Sequence, residues 1–157
     1  MSFYNNEKHF LHEYLTQVES LDMEGGNNGF ESYLKNLGIQ VDNSQWEIDH
    51  SIINWPNTEN FHQFYFDFEG SEKEISNWLE ESPISKYSNI ITWLDYKDPI
   101  IRIQTSQFIN HWEKLNVACA WSGLIATTED GKCFLEFTDD WKCHLNSNFQ
   151  IKPGSKR

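Results

Sequence analysis

From Asn6 to about Leu21, Phe10, Leu11, Tyr14, Leu15, Val18 and Leu21 recur at helical spacing, while Glu7, Lys8, Glu13 and Glu19 fall on other faces. This spacing predicts an amphipathic helix. The stretch MEGGNNG, with three glycines and two asparagines, breaks the pattern before a shorter helix over about Phe30 to Leu37, which Gly38 can end as a left-handed residue. Together the two predict an N-terminal helical hairpin. Beyond Ile39 the residues Val41, Trp46 and Ile48 suit a strand, interrupted at Asp42, Asn43 and Ser44, so strand is expected from Gln45. Ser51 to Trp55 can continue it until Trp55-Pro56-Asn57-Thr58 turns the chain. The run FHQFYFDF (Phe61 to Phe68) is the next strand, with Phe64, Phe66 and Phe68 alternating onto one face.

Ser71 followed by Glu74 forms a capping box, since the Ser oxygen can accept an orphan amide and the Glu can reach back. A helix over 72–81 follows, burying Ile75, Trp78 and Leu79, with Pro83 just beyond its end. The β-branched runs NIITWL (89–94) and IIRIQ (100–104) flank the YKDP turn and predict a hairpin. Thr105 or Ser106 can cap a long helix to about Cys119, with Phe108, Ile109, Trp112, Leu115 and Ala118 on one face. GLIATT, the turn Glu129-Asp130-Gly131-Lys132 and CFLEF then read as a hairpin, and its Asp-Gly pair favours a type I′ turn. After Asp139 and Asp140, WKCHL alternates Trp141, Cys143 and Leu145 against Lys142 and His144, adding a strand to the meander. The expected fold class is α+β, a single domain. An antiparallel sheet of about five to seven strands carries the N-terminal helical hairpin and the helix at 105–119 packed on it.

Charge changes the picture more than any motif. Twelve Lys and Arg stand against 24 Asp and Glu, a formal net charge of −12 over 157 residues. Residues 1–85 hold 16 acidic and 3 basic side chains, net −13, whereas residues 86–157 hold 8 acidic and 9 basic, net +1. Such a field repels phosphate backbones and anionic lipid, which argues against nucleic acid and membrane as partners and for a basic protein. The opening MSFYNNEKHF lacks a basic stretch followed by an apolar one, so no export by that route is expected. Cys119, Cys133 and Cys143 are an odd number in a chain large enough to fold without staples, which points to a reducing cytoplasm.

No motif points to catalysis or to a cofactor. His9, His12 and Glu13 read HxxHE, whereas zinc proteases place their histidine pair around the Glu, so no metal is expected there. The three cysteines lack a CxxC bite for structural zinc. Cys143 adjoins His144, but adjacent strand residues face opposite ways and the imidazole is badly placed to activate that thiol. The pairs Glu129-Asp130 and Asp139-Asp140 sit in turns, where carboxylates ordinarily bond their own backbone, and Glu80-Glu81 ends a helix. GGNNG follows a helix and lacks the Lys-Ser/Thr of a phosphate loop. An enzyme reading would require His50, His62, His111 or His144 to converge with an acid in three dimensions. A third reading is a scaffold or adaptor domain.

The acidic run from Asp42 to Glu81 and the segment WSGLIATTEDGKCFLEFTDDW resemble the small acidic immunity proteins of bacterial toxin systems. That resemblance implies a stoichiometric inhibitor that binds and neutralises a cognate toxin. Charge and expected exposure alone nominate the contact residues. Asp67, Glu69, Glu72, Glu80 and Glu81 cluster where the aromatic strand enters a short helix, beside Trp55, an aromatic near an element end that can serve as an interface anchor. The cysteine count yields a first expectation: all three thiols are reduced in the native protein, and adding reductant leaves the melting temperature unchanged. A reductant-induced loss of several degrees would reveal a disulfide.

Overall fold

The computed structural model describes residues 15, 17–21, 26–41, 51–66, 72–94, 100–118, 124–139 and 143–150. Its strands are β1 (Glu19–Ser20), β2 (His62–Phe66), β3 (Asn89–Thr92), β4 (Ile101–Gln104), β5 (Ile125–Thr128), β6 (Phe134–Asp139) and β7 (Cys143–Ser147). Its α-helices are α1 (Gly26–Asn36), α2 (Glu72–Glu81) and α3 (Thr105–Ala118). The strands form one seven-stranded sheet in the order β1-β4-β3-β5-β6-β7-β2, with every neighbouring pair antiparallel. The α+β class and the antiparallel sheet are as the sequence suggests.

Strand periodicity of two divides the apolar residues between two cores, one on each side of the sheet. Ile90, Ile101, Ile103, Ala126, Leu135, Phe137 and Leu145 face α2 and α3, meeting Ile75 and Leu79 from the first and Phe108, Ile109, Trp112 and Leu115 from the second. Their sequence neighbours Ile91, Ile100, Ile125 and Phe134 point the other way, toward Phe30 and Leu34 of α1 and toward Ile52, Ile53 and Trp55. The sheet is therefore covered on both faces. Trp112 stacks on Phe137 at 4.8 Å between centroids and 4° between planes, and Phe30 meets Trp93 at 5.2 Å. Aromatic pairs of this kind add about 0.5–1.5 kcal/mol beyond area burial.

Gly38 ends α1 as its position in the sequence suggests. Its φ is +88°, its N–H donates to the Lys35 carbonyl at 2.9 Å, and the Ile39 N–H donates to the Leu34 carbonyl at 3.0 Å. This is the Schellman pairing, and Leu34 and Ile39 complete it by sharing one core. The helix begins at Gly26, so part of the glycine-rich stretch expected as a loop is its first turn.

The described residues do not support the N-terminal helical hairpin. Residues 6–14 of the first expected helix lie outside the described residues, but Glu19 and Ser20 at its end are extended and pair with Arg102 and Ile101 of β4. The reason is tertiary: the Leu21 N–H donates to the Ile100 carbonyl at 2.8 Å, and Glu19 binds the Arg102 guanidinium at 2.7 Å. Likewise, the strand expected from Gln45 lies outside the described residues up to His50. Its continuation over 51–55 is no strand of the sheet: Ile53 makes an isolated bridge to Val41, and Trp55–Asn57 is a turn of 3-10 helix.

The β5–β6 hairpin forms with a different turn from the one expected. Type I′ needs positive φ at both central residues, and of the four loop residues 129–132 only Gly131 has it, at +73°. The loop is closed by the Thr128 N–H on the Cys133 carbonyl at 2.9 Å, and the Gly131 N–H on the Thr128 carbonyl makes an ordinary turn inside it at 3.0 Å. Four-residue loops are commonly built this way, and the left-handed residue at the end returns the chain to its strand.

A Cβ at Gly131 would stand 2.7 Å from Leu37 Cβ and 2.9 Å from the Leu37 carbonyl, in addition to the strain of its φ. Gly131→Ala should therefore destabilise the protein by about 2–4 kcal/mol, lowering the melting temperature by roughly 5–12 °C. Thermal unfolding followed by circular dichroism checks this, and a loss under 2 °C would contradict it.

Candidate partner-binding site

The nominated carboxylates do not share one fate. Asp67 and Glu69 lie outside the described residues, and Glu72 opens α2. Helical spacing turns Ile75 and Leu79 inward and leaves Lys73, Glu74, Asn77, Glu80 and Glu81 exposed. Glu80 and Glu81 occupy the last turn of α2, which holds no basic residue. Unsatisfied carbonyls already make a helix C-terminus negative, so acids there cost about 0.3–1 kcal/mol each instead of stabilising.

Trp55 requires correction. It was expected as an exposed anchor, yet it is only 4% accessible, in the core opposite α2 and α3. The cause is Glu136 on β6, a fully buried acid whose carboxyl group collects donors from the 51–55 segment. The Trp55 indole Nε1 donates to Oε1 at 2.7 Å, the Ile52 N–H donates to Oε2 at 2.9 Å, and the Ser51 hydroxyl donates to Oε1. A carboxyl group this deep is tolerable only when several hydrogen bonds satisfy it.

What Trp55 does is support another ring. Phe61 stacks on its outer side at 5.4 Å and 27°, while Phe134 stacks at 5.6 Å and 30°. Phe61 is 42% exposed, and four residues on, Tyr65 is 55% exposed with its ring edge against His144 at 5.9 Å. Sequence reasoning missed both rings. The signal was present in the alternation: if Phe64 faces inward, where it meets Trp78 edge-on at 4.8 Å, then Phe61, Gln63 and Tyr65 must share the outward face.

Other candidate chemistry resolves into structural roles. Of the acidic pair in the β5–β6 turn, Glu129 binds Arg102, which also holds Glu19. Asp130 accepts from Thr128 Oγ1 at 2.8 Å, the Lys132 N–H at 3.0 Å and the Tyr87 hydroxyl at 3.0 Å. Slight burial would raise its carboxyl pKa, but the bonds from Lys132, Thr128 and Tyr87 outweigh that and hold it below the usual range. Burial, and then the charge of Asp130, pushes the Cys133 thiol up, away from the nucleophilic thiolate. Cys143 pairs with Asp139 across the β6–β7 ladder, so it is not opposite Cys133. The described histidines do not converge: His111 sits at a kink in α3, His62 and His144 on β2 and β7. Among the described residues no group of three His, Cys, Asp or Glu is placed to hold a metal ion, and no helix is long and apolar enough to cross a membrane.

Two cavities lie among the described residues. One of about 430 Å³ is walled by Glu80, Lys86, Ser88, Thr105, Ser106 and Asn110, where α2 ends and α3 begins. Another of about 320 Å³ lies on the other side of the sheet, among Gln40, Asn57, Glu59, Asn60 and Phe134.

Removing the Glu136 carboxyl group would orphan two buried donors, the Ile52 N–H and the Trp55 indole N–H, while the Ser51 hydroxyl keeps the Ile53 carbonyl at 3.0 Å. Glu136→Ala should cost about 3–5 kcal/mol, whereas Trp55→Phe, which removes one donor and keeps an aromatic, should cost about 1–2 kcal/mol. Urea unfolding of both variants measures this, and a Glu136→Ala loss under 1 kcal/mol would show that the network does not hold the segment.

No family model matches this chain, and neither a curated protein nor a solved structure matches it.

Proposed function

We infer that the chain is a stoichiometric protein-binding inhibitor of the cytoplasm, which neutralises a basic toxin or effector in the manner of an immunity protein. The observation that carries this reading is the placement of exposed Glu80 and Glu81 in the last turn of α2, a turn that holds no basic residue of its own. Acids there oppose the helix dipole, and they belong to a half-chain of net −13 that repels itself. A cationic surface meeting several of these carboxylates at once relieves both penalties.

A second reading, a small-molecule site, has one observation behind it. Thr105 lines the cavity between α2 and α3, is 4% exposed, and its hydroxyl is buried without a hydrogen-bond partner among the described residues. Among the described residues no histidine lines that cavity. Its Glu80 and Lys86 oppose each other in charge, which selects no ligand class.

Rim charges steer encounter more than they hold a complex together. Glu72, Glu80 and Glu81, changed together to Gln, should therefore slow association with the partner recovered by low-salt pull-down and flatten its salt dependence. The same triple variant should leave folding stability unchanged or raise it, since two of the three acids oppose the helix dipole. Stopped-flow association from low to high salt decides the matter, and an unchanged association rate would sink the acidic interface.

A further inference from the structure

We propose that Phe61, Gln63 and Tyr65, on the outward face of β2 and its approach, form the strip that receives an arginine-bearing segment of the cationic partner. This rests on the inhibitor reading and adds an aromatic contact on the sheet face away from α2. Among the described residues three large hydrophobic side chains are exposed, Phe61, Tyr65 and Val117, and the first two stand four positions apart on this one strip. The period of two aligns them with Gln63, whose Nε2 donates to Asn146 Oδ1 at 3.0 Å and lies down on the neighbouring strand.

Phe61 is held before any partner arrives. The Phe134–Trp55–Phe61 stack runs from the core to the surface, and Trp55 is itself fixed by Glu136. A ring immobilised in this way loses little freedom on binding. Tyr65 is seated against His144. Charge selects the occupant: Glu59 is exposed two positions before Phe61, and the strand belongs to the half of the chain that is net −13. A guanidinium is planar, weakly hydrated and suited to stacking on a ring face, and a nearby carboxylate strengthens the contact. Four strand residues separate the rings by about 13 Å, the span between residues i and i+4 of an extended peptide.

The test uses the intact chain with fluorescent nona-arginine and nona-lysine peptides, which carry equal charge, with binding read by anisotropy. The arginine peptide should bind about three- to tenfold more tightly than the lysine peptide. In Phe61→Ala/Tyr65→Ala that preference should disappear while lysine-peptide binding stays as it was. Tyr65→Ala alone should remove part of it and Tyr65→Phe should preserve it, which separates loss of a ring contact from any loosening around Trp55. Neutralising Glu72, Glu80 and Glu81 should weaken both peptides alike and keep their ratio. An arginine preference that survives in the double variant overturns the strip and leaves the cationic-partner reading standing. Failure of both peptides to bind at low salt overturns both.

Discussion

The carboxyl group of Glu136 is the point on which this architecture turns. It projects from β6 on the face of the sheet where Ile125 and Phe134 are apolar, and Ile125 is its direct neighbour across the β5–β6 ladder. An acid there would be expelled from the core unless donors came to it. Ser51, Ile52 and Trp55 supply them from a segment that belongs to no strand of the sheet, so the segment is fixed by polar pairing as much as by the burial of Ile52 and Ile53. Everything laid on that segment inherits its position, from the 3-10 turn at Trp55–Asn57 to the Phe61 ring stacked outside it.

The charge boundary near residue 85 is also an architectural one. The five central strands and α3 all come from residues 86–157, whose net charge is +1, and they form the sheet and much of one core. The first half, net −13, supplies both edge strands, β1 and β2, and the helices α1 and α2 that cover the two faces. A nearly neutral scaffold is thus clad in an acidic layer. Self-repulsion then falls on elements that are peripheral, each held to the scaffold by its own apolar contacts, and the strongly buried strands are spared it.

Local signals in the sequence carried the local structure. Helices α2 and α3, the β3–β4 pair and the β5–β6–β7 meander were legible because each depends on periodicity and caps within a few residues. Strand order was not, since the crossover from β4 through α3 to β5 passes over β3 and depends on contacts between distant segments. The misread stretches share this cause. Glu19 and Ser20 suit a helix by pattern, but Arg102, far along the chain, draws them into the sheet edge. Trp55 lies beside a turn in the sequence, and its burial depends on an acid 81 positions later, which nothing near it announces. The two exposed rings were half legible, because assigning Phe64 inward also assigns Phe61 and Tyr65 outward.

Two features of the surface are hard to explain as solubilising decoration. Charge for solubility can be placed anywhere on α2, yet two acids occupy its last turn, where the dipole opposes them. Polar residues could face outward along β2 and its approach, yet two of the three outward positions hold aromatic rings, one of them propped by a buried stack. Uniform solvation explains neither choice. On the proposed reading, a partner with positive charge and planar cationic side chains accounts for both, the carboxylates steering its approach and the rings holding it after contact. The burial of Trp55 fits the same logic: it is the brace beneath Phe61, and a brace must be immobile to let the exposed ring bind without first being ordered.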